Sequence, residues 1–203
     1  MSKRYKIGLA FVVLVIAGGV TALWLFVQHG FSARDRPTAV EAFVARRLRH
    51  LAVPRSARQA PNPVPVTPEV LAEARAHFAD HCALCHANDG SGQTEIGKNL
   101  YPKAPDMRQS DTQDLSDGEL FYIIHNGIRL TGMPAWGDGP PEEDQDSWKL
   151  VHFIRHLPKL SKEELEEMKK LNPKSPEEMT EDEEEQKFLQ GEDGPSTVPQ
   201  HHH

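Results

Sequence analysis

The sequence predicts an all-α protein: one long apolar helix near the N-terminus, then a small helical domain with extended loops. Three observations carry this. Residues 7–27, IGLAFVVLVIAGGVTALWLFV, contain neither charge nor proline. Beyond residue 66, apolar side chains recur at helical spacing in three stretches, each with a start or stop signal. No period-2 apolar run is long enough for a strand, and no segment repeats.

Charge divides the chain further. The 203 residues carry a formal net charge of −7, unevenly spread. Residues 1–60 hold ten basic and two acidic side chains, whereas residues 161–203 hold five and thirteen. No basic stripe interleaved with aromatics points to nucleic acid.

Residues 1–6 contain Lys3, Arg4 and Lys6. The 21 residues of 7–27 match the roughly 20 that span a bilayer as a helix. A cleaved signal would have a shorter apolar run closed by small residues. Here Leu23, Trp24, Leu25, Phe26 and Val27 close it, so an uncleaved anchor is expected. Arg34, Arg36, Arg46, Arg47 and Arg49 follow closely, so basic residues flank both ends and the charge rule alone sets no orientation.

Residues 28–66 read as a basic amphipathic segment and a proline-rich linker. Over 36–53, Val40, Phe43, Val44, Leu48 and Leu51 fall at helical spacing, flanked by Arg46, Arg47, Arg49 and His50. Such a helix suits anionic headgroups, the soluble domain or a membrane partner. Residues 54–68 hold five prolines and read as an extended linker.

Residues 67–160 form the expected domain. Thr67-Pro68-Glu69 opens a helix with a hydroxyl cap, proline at the first position and an acid. Val70, Leu71, Ala74 and Phe78 give its apolar face. Ser116 and Glu119 make a capping box before Leu120, Ile123 and Ile124, and Gly127 ends that helix. A last helix carries Leu150, Phe153, Ile154 and Leu157 and stops at Pro158. Long loops in so small a domain need an organiser, and a large apolar cofactor would be one. Residues 161–203 read as an acidic, largely disordered tail; the closing His201, His202 and His203 are given no function.

Chemistry concentrates at HCALCH, residues 81–86, which contains both cysteines of the chain. Cys-x-x-Cys followed by His is the signature of covalent c-type haem attachment. Cys82 and Cys85 can reach one edge of a flat macrocycle, and His86 can present its ring to the iron. A second ligand is expected 47 residues on, at Met133 in TGMPAWG, since a thioether opposite histidine raises the reduction potential. Met107 competes; Met168 and Met179 lie in the polar tail. A redox dithiol lacks its βαβ context, and a zinc site from His77, His81, Cys82 and Cys85 is too local for a typical structural site. His125, His152 and His156 are alternative iron ligands, but read as exposed helix histidines.

CALCH, YPKAPDM, LSDGELFYIIHNGI and TGMPAWG, in this order, resemble class I monohaem c-type cytochromes, especially cytochrome subunits of membrane-bound dehydrogenases and terminal oxidases. The resemblance covers residues 67–160. It implies about three to five helices around one haem c, with the first and last crossing where Phe78 meets Trp148 or Phe153. It implies a proline carbonyl, Pro102 or Pro105, holding His86, and Arg129 and Trp136 against a haem propionate. It implies attachment outside the plasma membrane, and so a single-pass inner-membrane protein with a cytoplasmic N-terminus and a periplasmic haem domain. The expected role is single-electron transfer in a bacterial respiratory chain, with redox proteins as partners and no small-molecule substrate. A fixed subunit of a larger oxidoreductase complex is the nearest alternative. A haem-based sensor or enzyme with an open sixth iron site is the other.

Overall fold

The computed structural model describes residues 2–29 and 32–174, together with 180, 181, 184, 186, 187 and 189. All regular structure among the described residues is helical. Helix α1, Lys3–His29, is long and apolar enough to cross a bilayer, and its large apolar side chains are exposed. Helix α2, Ala39–Ala52, starts at a capping box in which Thr38 and Glu41 satisfy each other's backbone N–H groups. Helix α3 is Arg55–Gln59.

Helix α4, Pro68–His77, begins as expected, with the Thr67 hydroxyl accepting from the Val70 N–H. It runs without interruption into a π-helical turn, Phe78–Cys82, and then α5, Ala83–His86. Short helices α6, Glu95–Asn99, and α7, Ser110–Gln113, punctuate the long loop. Helix α8, Asp117–Asn126, carries the Ser116–Glu119 capping box and ends at Gly127, whose φ of 66° favours glycine. Helix α9, Gln145–His156, is capped by Asp144 and closes in a 3₁₀ turn, Leu157–Lys159.

The core lies where α4 crosses α9 and α8 packs beside them. Phe78 meets Phe153 at 5.0 Å between ring centroids, while Trp148 stacks on Phe121 at 4.1 Å. Of the two partners expected for Phe78, Phe153 is therefore the one in ring contact. Arg155 pins α9 to α8 by donating to Asp117 and to the carbonyls of Gln113 and Leu115.

The structure differs from the sequence reading at the linker and extends it at the acidic segment. The expected linker of residues 54–66 is strapped to the domain. Val53 is buried, Ala60 and Val64 pack on the core, and Asn62 donates to the Trp148 carbonyl at 2.9 Å. Proline richness makes a segment extended, but these side chains give it somewhere to lie. The acidic segment from 161, whose first part the sequence allows as a polar helix, opens with helix α10, Lys162–Lys169, behind a Ser161–Glu164 capping box. Its Met168 is fully buried, and Arg75 pairs with Glu164 and Glu167 at 3.3 and 2.7 Å. One buried methionine in a charged helix is a weak periodic signal. Met179 and the closing histidines lie outside the described residues.

Candidate functional site

The two cysteines and His86 sit at the C-terminal end of the continuous α4–α5 rod. The chain leaves it through Ala87 at φ 61°, then turns at Gly90 and Gly92, both with positive φ. This turn grips the motif's backbone. The Gly92 N–H donates to the His86 carbonyl at 2.8 Å, and the Thr94 hydroxyl donates to the Cys85 carbonyl at 3.1 Å. Thr94 simultaneously caps α6, whose Gly97 lies so close to the Cys85 carbonyl that a Cβ there would overlap it.

Burial, aided by neighbouring Cys85, pushes the Cys82 thiol up to about 12; burial also raises Cys85. An activated dithiol requires the opposite shift. His77 and His81 touch edge to face at 4.9 Å, and among the described residues no three His, Cys, Asp or Glu side chains are gathered as a metal site. Burial lowers the pKa of His86. Its Nδ1 is buried and has no hydrogen-bond partner, so neither Pro102 nor Pro105 supplies the expected carbonyl.

Met133 lies in a loop fastened to the end of α8. Ile128 donates to the Met133 carbonyl, Trp136 to Ile124, and Gly137 to His125, at 3.1, 3.1 and 3.0 Å. Within the loop, the Thr131 hydroxyl donates to the Ile128 carbonyl and accepts from the Met133 N–H. Two contacts bring this loop to the motif's surroundings. Trp136 meets His81 edge to face at 5.5 Å, and Gly132 packs against Leu100, just past α6.

The competing iron ligands are otherwise engaged. Met107 is a core residue, 6% exposed. His152 bonds the Val64 carbonyl, and His156 bonds Glu164. His125, expected to be exposed, is buried: its Nδ1 meets Asp144 at 2.6 Å, and its ring stacks on Phe121. Burial pushes the Asp144 carboxyl up, but hydrogen bonds from Ser147 and His125 outweigh it and leave the group below its ordinary value. A Cβ on Gly137 would overlap the His125 ring, so the loop depends on a buried pair that helical periodicity does not reveal. The glycine at 137 was the available sequence signal. Arg129 is exposed.

These residues fit a haem c. The motif offers two thiols and a half-buried imidazole, and the loop that touches its surroundings carries a thioether. In residues 67–174 the exposed large apolar side chains are Leu84, Ile96, Leu130, Trp136 and Leu171. Four of these five lie on α5, α6 and the Met133 loop, the segments that frame the motif, where a large apolar group would cover them.

An all-helical domain with Cys-x-x-Cys-His at the end of its first helix has the features of a c-type cytochrome domain. The family model for cytochrome C oxidase, cbb3-type, subunit III matches residues 69–154, which bounds the motif, the Met133 loop and most of α9. No curated protein matches the chain.

Proposed function

We propose that the protein is a membrane-anchored monohaem cytochrome that passes single electrons between redox proteins. The observation that carries this reading is the Cys82–His86 motif at a helix end, beside a Met133 loop that reaches it through Trp136 and His81. Haem c supplies a one-electron iron couple when bound. Cys82 and Cys85 tether it through thioethers, and His86 and Met133 are the iron ligands. Arg129 and Trp136 serve the propionates. The apolar frame of Leu84, Ile96 and Leu130 excludes water from the macrocycle face. Helix α1 anchors the protein in the plasma membrane, with the haem domain on the periplasmic side.

A second reading makes the chain a fixed subunit of a larger oxidoreductase complex. The match to an oxidase-subunit family favours it. Met133→Ala tests the ligand assignment. It should retain covalent haem, lose the methionine–iron charge-transfer band and lower the reduction potential. An unchanged band would remove Met133 from the iron. Mild detergent extraction followed by size analysis separates a free carrier from a complex subunit.

A further inference from the structure

A second apolar surface lies away from the haem frame. On α2, Val40, Phe43, Val44, Leu48 and Leu51 share one side of the helix and are all exposed, Phe43 at 66% and Leu51 at 64%. The opposite side holds the domain through polar contacts. Arg46 pairs with Asp111 at 2.9 Å, His50 with Glu119 at 2.8 Å, and Glu41 accepts from the Tyr101 hydroxyl. The strap continues these contacts, with the Ser116 hydroxyl donating to the Arg58 carbonyl at 2.8 Å. The helix therefore turns its apolar stripe outward and its polar side to the protein, the reverse of an ordinary surface helix.

We propose that α2 lies in the surface of the bilayer that α1 crosses, stripe inward, bound to anionic lipid, and so holds the cytochrome domain in one orientation. This rests on reading α1 as a membrane span. Two observations choose the occupant. The segment from 30 to 38 joins α1 to α2, and at roughly 3.6 Å per residue it reaches about 32 Å at most, so α2 stays beside the membrane. Charge complements anionic headgroups, because residues 32–60 hold seven arginines against Asp35 and Glu41, and Arg34, Arg36, Arg47 and Arg55 among them are exposed. Arg47 falls within the stripe, four residues after Phe43 and four before Leu51, where its stem covers apolar surface and its head reaches the phosphates. Pairing two copies through the stripe would instead bring two Arg47 guanidinium groups together. With α2 seated, Tyr101, Asp111 and Glu119 mark the membrane-facing side of the domain, which is carried on a fixed mount rather than swung on a linker.

The test uses the full-length holoprotein with Leu48→Cys carrying a nitroxide, in mixed phosphatidylcholine–phosphatidylglycerol vesicles; exposed Lys159→Cys is the water-facing control. Collisions with oxygen should exceed those with a water-soluble nickel chelate several-fold at position 48 and fall below them at 159. The excess at 48 should shrink in phosphatidylcholine alone. Nickel access at 48 equal to that at 159, in protein that floats with the vesicles, overturns the proposal and leaves the anchor standing. Dipolar broadening between labels at 48 assigns the stripe to a second copy and also overturns it. Protein that does not float refutes the anchor and the proposal together.

Discussion

Helices α9 and α2 are both amphipathic, yet they meet the same domain with opposite faces. Helix α9 buries Trp148, Leu150, Val151, Phe153 and Ile154, with Lys149 and Arg155 pairing at the margins of that face. Helix α2 gives the domain Glu41, Arg46 and His50 and buries none of its own residues. Periodicity reports that a helix has two faces. Which face meets the protein depends on whether the apolar side has another medium to enter, and in the arrangement we propose the bilayer crossed by α1 is that medium.

The contrast predicts unequal responses to substitution. Phe153→Ala, at the α4–α9 crossing, should destabilise the domain by about 3–5 kcal/mol, read as a lowered urea midpoint. A midpoint close to that of the unsubstituted protein would mean that the crossing is not the core. Gly118→Leu should act next most strongly, because even a Cβ there overlaps the Ala57 carbonyl. It should lift the strap from α8 and expose Arg55 and Arg58 to trypsin, while the α4–α9 core persists. Unfolding of the whole domain would show that strap and core are one unit.

A smaller, pH-dependent effect is expected at the α2 contact. Burial raises the Glu119 carboxyl, but hydrogen bonds from Ser116 and His50 outweigh it and leave the group below its ordinary value of 4.5. A depressed carboxylate contributes its stability above the unfolded value and loses it as pH falls through the folded one. Stability should therefore drop as pH falls below 4.5, and Glu119→Gln should flatten part of that limb. Asp106, held down to about 2 by Arg108, loses its share over a lower range, from 3.8 to about 2, and serves as the internal comparison. Arg46→Ala, at an exposed pair with Asp111, should change stability least, by about 0.2–1 kcal/mol.

The same contrast explains what was legible in the sequence. Helix α4, helix α8 and its capping box, and helix α9 were readable because apolar spacing and cap chemistry agree there. Cys82, Cys85 and His86 stood out through spacing alone. The strap was not readable, because it is held by hydrogen bonds between residues far apart in the chain, such as Asn62 with Trp148. His125 looked like a solvated helix histidine because its partner, Asp144, lies across the loop that it supports. Helix α10 was legible as a polar helix, but its docking was hidden by its charge, with Met168 its only fully buried anchor.

The most direct measurement is denaturing electrophoresis stained for haem peroxidase activity, run on the intact protein and on Cys82→Ala and Cys85→Ala. Haem that migrates with the denatured intact chain and is lost or weakened in both variants is the predicted result. A denatured intact chain without haem would contradict covalent attachment at residues 82–86, and with it the cytochrome reading of the site.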